Sequence, residues 1–86
     1  MKLKNMSKAI PLGIDIELRK VEKRDLENHI DASWLSYSEI CNRCNINFEV
    51  KFKGQLLNVV QLEKYKDNDI VSIFVKDYDL VIVIVW

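Results

Sequence analysis

A chain of 86 residues with 49% hydrophobic and 30% charged side chains forms one small globular domain, too short for two and too apolar for disorder. Thirteen Lys and Arg balance thirteen Asp and Glu, so no overall field draws the chain to nucleic acid or to an anionic membrane. The longest apolar run, Leu80 to Trp86, falls far short of the ~20 residues of a membrane-spanning helix.

Met1 to Lys8 is polar, lacks the apolar stretch of a secretory leader, and is expected to be a flexible arm ahead of a single α+β domain over residues 9–86. With two cysteines and no leader, the expected compartment is the reducing cytoplasm. The abundance of Lys, Ile and Asn suits an AT-rich bacterial or phage genome.

From Ile10, apolar residues alternate with others: Ile10, Leu12, Ile14, Ile16 and Leu18 share one parity, Pro11, Gly13, Asp15, Glu17 and Arg19 the other. This predicts a strand to about Val21, with one buried and one wet face and an irregular start at Pro11 and Gly13. The period then changes. Leu26, Ile30 and Trp34 recur every four residues, which predicts a short amphipathic helix over 23–33. Ser36 with Glu39 reads as a capping box for a second helix over 37–44, either separate from the first or continuous with it through a bend.

Four further strands are expected. Ile46, Phe48, Val50 and Phe52 alternate with polar residues; Gly54-Gln55 turns the chain, and Leu56 to Glu63 returns. Asp67-Asn68-Asp69 is a second turn, and Ile70–Lys76, Asp77-Tyr78-Asp79 and Leu80–Trp86 make a closing hairpin. The expected fold is α+β: a strand, a helix or helix pair, then a four-stranded antiparallel meander, with the helices on one face of the sheet.

The closing hairpin is anomalous. Ile70, Phe74, Leu80, Ile82, Ile84 and Trp86 share one parity in regular strands, and Val71, Ile73, Val75, Val81, Val83 and Val85 share the other. Strands apolar on both faces are normally central and covered twice. The expected helices cover one face, which leaves the other to the first strand, the N-terminal arm, a rolled sheet or a second chain.

Motifs bearing chemistry are sparse. Cys41-Asn42-Arg43-Cys44 has the spacing of a redox pair or half a zinc site, but it sits at the C-terminal end of its predicted helix, where the dipole opposes a thiolate. A zinc site needs two more ligands, and His29 is the sole histidine. Core thiols are the better reading, so no metal or cofactor is assigned. Asp67-Asn68-Asp69 and Asp77-Tyr78-Asp79 lack the glycine and terminal glutamate of a calcium loop and read as turns.

No catalytic constellation emerges, and the chain is read as no enzyme. The expected function is a non-enzymatic protein-interaction module of inhibitor, immunity, adaptor or antitoxin type, contacting another protein or a second copy of itself. Its candidate anchors are Trp34, Tyr37, Phe74, Tyr78 and Trp86. Two alternatives stand beside it. One is a nucleic-acid-binding regulator using Lys2, Lys4, Lys8, Arg19, Lys20, Lys23 and Arg24 on phosphates; the other is a thiol or zinc protein built on Cys41 and Cys44.

Overall fold

A computed structural model describes residues 1–28, 39 and 46–85. Along them run α1 (Leu3–Ser7), β1 (Asp15–Val21), α2 (Lys23–Asn28), β2 (Glu49–Gln55), a 3₁₀ helix (Val59–Tyr65), β3 (Asp69–Lys76) and β4 (Asp79–Val85). Apart from Glu39, which is helical, the predicted helix over 37–44, with its two cysteines, lies outside the described residues, as does the first helix beyond Asn28.

The four strands form one sheet in the order β2-β1-β4-β3. β1 pairs antiparallel with β2 and β3 antiparallel with β4, but β1 and β4 run parallel. The α+β class therefore holds, while the purely antiparallel meander is corrected to a mixed sheet. The reason lies in β4. A strand apolar on both sides is most stable in the interior, and pairing with β1 puts it there.

A second correction concerns Leu56 to Glu63, which is not a returning strand. Asn58 and Gln61 form a reciprocal capping box that starts the 3₁₀ helix. Gln61 Oε1 accepts the N–H groups of Leu57 at 2.7 Å and Asn58 at 3.1 Å. In a helix of three residues per turn, Leu62 and Tyr65 fall on one side, and both are buried. The β-branched pair Val59-Val60 suggests a strand locally, but the cap and this spacing decide otherwise.

The helices are also not confined to one face. Alternate residues of β4 enter two separate cores. Ile82 and Ile84 join Ile16 and Leu18 of β1, Leu56, Leu62 and Tyr65 of the 3₁₀ region, and Leu3 and Ile10 from the N-terminal segment. Val81 and Val83 join Val21, Leu26 of α2 and Ile46 on the opposite side. α1 and the 3₁₀ helix thus lie over one face and α2 over the other, which explains why β4 can be apolar on both.

The segment expected as an arm is in this structure the helix α1, with Leu3 wholly buried. Five residues make too short a helix to stand alone, and no side chain caps it. Its support is tertiary. The first-turn N–H groups of Leu3 and Lys4 donate to the carbonyls of Asn68 at 2.9 Å and Lys66 at 2.8 Å, just beyond the 3₁₀ helix.

A bulge between Ile70 and Ser72 alters the hairpin's parity. Ile70 packs with the first core, whereas Val71 and Phe74 both pack with the second. Ile70 and Phe74, assigned to one face by strict alternation, lie on opposite faces because one extra residue sits between them.

Candidate functional site

The two edges of the sheet are built differently. β2 interrupts its apolar residues with Glu49, Lys51 and Lys53, and its register with β1 is broken by a bulge at Leu18/Arg19. Charges and bulges of this kind discourage pairing with another strand. β3 carries no charge from Ile70 to Val75. Two of its aliphatic side chains stand in solvent, Ile73 at 42% and Val75 at 72% exposure.

β3 leads into a two-residue turn, Asp77-Tyr78, with both residues at positive φ, 51° and 71°. Such a turn matches the twist of the strands it joins, and asparagine and glycine are its preferred occupants. Aspartate tolerates the left-handed conformation; tyrosine occupies it at a cost of roughly 1–2 kcal/mol. The Tyr78 side chain recovers no burial in exchange, being fully exposed. The exposed ring thus stands at the end of an uncharged edge strand, on a turn whose backbone it does not favour.

On the sheet face that carries Phe74 lies a charged cluster centred on β1. Arg19 on β1 hydrogen-bonds Glu17 through Nε, with both side chains nearly buried, and Lys53 Nζ on β2 lies 3.4 Å from the other Glu17 oxygen. The Arg19 guanidinium sits 4.1 Å from the centroid of the Phe48 ring and 5.7 Å from that of Phe74. An arginine so placed has its charge met by the carboxylate and by the ring faces. Burial by itself would raise the Glu17 carboxyl's pKa. The hydrogen bond and charge of Arg19, and then those of Lys53, reverse this and hold it below its ordinary value. A groove beside the cluster is lined by Glu17, Arg19, Lys53, Lys76, Asp77 and Asp79, three acids facing three bases. Such a balance suits structural neutralisation better than binding of a charged ligand.

Of the predicted anchors, Phe74 and Tyr78 are brought onto one hairpin in different roles. Phe74 is half-buried, packed on the second core and beside Arg19, while Tyr78 projects from the tip. Trp34, Tyr37 and Trp86 lie outside the described residues, as do His29, Cys41 and Cys44. Ile73 and Val75, the most telling residues of the edge, were not among the predicted anchors. Their signal was the two-residue turn, which sets which strand residues point their backbone groups outward.

Four of the basic residues read as phosphate contacts lie beside acids. Arg19 is committed to the inner cluster, Lys2 and Lys4 lie 3.8 and 3.6 Å from Asp69 and Asp67, and Lys20 lies 3.1 Å from Glu22. Among the described residues, no group of three or more His, Cys, Asp or Glu is placed to hold a metal ion. None of their helices is long and apolar enough to cross a membrane. Comparison with known proteins finds no matching family model, no matching curated protein and no matching solved structure.

Proposed function

We propose that this chain is a non-enzymatic protein-interaction module, of the inhibitor, immunity, adaptor or antitoxin kind, and that its contact surface is the outer edge of β3 with the Tyr78 tip. One observation carries the reading. The uncharged edge exposing Ile73 and Val75 runs directly into a fully exposed tyrosine on a positive-φ turn. Strand edges bind partners by extending the sheet; the backbone ladder supplies affinity and alternate side chains supply selectivity. An exposed aromatic beside that ladder is a typical anchor.

The reading is tested by placing a photo-activated benzoylphenylalanine at position 78 and irradiating in the native host. Cross-linked protein is expected, and a second substitution, Val75→Lys, is expected to remove it while the thermal midpoint of the domain stays unchanged. Cross-linking indifferent to Val75→Lys would place the contact elsewhere and defeat the proposal.

A further inference from the structure

We infer that the open edge of β3 pairs with β3 of a second copy of this chain, antiparallel, about a two-fold axis through Phe74. The inference rests on the reading that this edge is a contact surface, and it commits to the occupant and the register.

The hydrogen-bonding phase of the hairpin decides which backbone groups are free. Lys76 and Asp79 flank the two-residue turn and face each other across it. In such a hairpin this first pair exchanges hydrogen bonds, and the pattern then alternates. Phe74 with Val81 and Ser72 with Val83 are therefore bonded pairs, with their N–H and C=O groups turned toward β4. The backbone groups of Ile73 and Val75 turn the other way, off the edge of the sheet. The two residues with outward backbone groups are also the two with exposed aliphatic side chains.

The length of edge on offer is limited at both ends. Below the bulge the chain's own N-terminal segment already lies along it: Ile70 N–H donates to the Met1 carbonyl at 2.7 Å, Leu3 N–H donates to Asn68, and Lys2 pairs with Asp69. Above Lys76 the turn begins. Among the described residues nothing else is paired along this edge, and Ser72 to Lys76 is what remains, a regular stretch of strand centred on Phe74.

One register uses all of it. With Phe74 opposite Phe74 of the second copy, each Ile73 faces the other copy's Val75, and both such pairs are of the hydrogen-bonded kind, giving four new backbone bonds. Ile73 and Val75 point to the same side of the strand, so the four exposed side chains gather into one patch, while the two Phe74 side chains meet on the other side. Moving the register by two residues sets an outward residue against the bulge at Val71 or against Asp77 in the turn, and half of the ladder is lost. The self-complementary arrangement is thus the best-matched one. A net charge of zero leaves no overall repulsion between two copies.

The contact is small beside the ~1,600 Å² of a standard interface, so the dimer is expected to be weak and concentration-dependent. Sedimentation velocity of the intact chain from micromolar to about 1 mM should show monomer converting to dimer, and Val75→Lys, at a solvent-exposed position, should raise the dissociation constant more than about tenfold. The register is read from a mixed sample of ¹³C-labelled and unlabelled chain, in which an isotope-filtered NOE between the Hα protons of Phe74 on the two copies is expected. A chain that stays monomeric throughout, or a dimer that tolerates Val75→Lys and shows no such NOE, overturns the proposal. In the monomeric case, a Val75-dependent cross-link from position 78 to a different protein would leave the interaction reading standing, whereas failure of both would remove both.

Discussion

β3 and β4 are neighbours in one hairpin and are both rich in Val and Ile, with one Phe in β3 and one Leu in β4. Their environments differ sharply. Ile82 and Ile84 are sealed from solvent and Val81 and Val83 almost so, whereas Val75 keeps 72% of its surface. Composition makes both strands fit for the centre of a sheet, but a sheet of four has only two central places, and β1 holds the other. What distinguishes β4 is its parallel pairing with β1; what distinguishes β3 is an outer side that, among the described residues, is met only at Asn68–Ile70, by the N-terminal segment. Apolar pattern alone therefore marks both a core strand and an exposed edge, and pairing tells them apart.

The sharpest break in that comparison comes from trimming the same side chain on each strand. Ile82→Ala removes methyl and methylene groups from a sealed core, for a loss of about 2–5 kcal/mol, much of the 5–15 kcal/mol that holds a domain folded. Ile73→Ala takes the same atoms from a half-solvated edge and should cost about 0.5 kcal/mol or less. Urea unfolding of the two variants measures both. Equal losses would mean that β3 is buried in solution as deeply as β4, and the distinction between core and edge would have to be abandoned.

Much of this was readable in advance. The alternation of Ile16 and Leu18 against Glu17 and Arg19 identifies β1, although Gly13, at φ +89°, delays its start until Asp15. The hairpin and its turn follow from Asp77-Tyr78-Asp79 between apolar runs. A returning strand over Leu56 to Glu63 leaves one face of β4 without cover, whereas the Asn58–Gln61 capping box makes that stretch a helix. That helix, with Leu3 in the core, supplies the covering layer. The β1–β4 pairing could not be read, because parallel neighbours are joined by no short turn and leave no local signature. At the candidate site, the exposed aromatic Tyr78 was evident, whereas Ile73 and Val75 become distinctive only once the bulge and the hairpin phase are known.

A smaller effect is expected where β1 meets both neighbours. Glu17→Ala leaves the Arg19 guanidinium nearly buried without its carboxylate, a loss of about 1–3 kcal/mol at neutral pH. Because the Glu17 carboxyl titrates below its ordinary value in the folded chain, the unfolded state binds its proton first as the pH falls. The stabilisation is therefore present above the unfolded carboxyl's value of 4.5 and disappears as the pH drops through the lower folded value. Thermal midpoints across the acid range should fall more gently in Glu17→Gln than in the parent chain. Parallel curves would assign the acid sensitivity to other carboxylates, such as Glu49, which Lys51 also holds low.

The smallest effect has the opposite sign. Tyr78 occupies a left-handed position at a cost of roughly 1–2 kcal/mol, while glycine there would cost about 0.5–1 kcal/mol in chain entropy. Since the ring touches nothing that burial would reward, Tyr78→Gly should stabilise the domain by about 0.5 kcal/mol, seen as a thermal midpoint raised by a few degrees. The hairpin should then hold its register better and bind less well, because the side chain removed is the one that the turn is strained to present. A variant that is both less stable and unchanged in self-association or cross-linking would show that the tyrosine serves the fold. Its position beyond the open edge of β3 would then be incidental, and the contact surface would shrink to Ile73 and Val75.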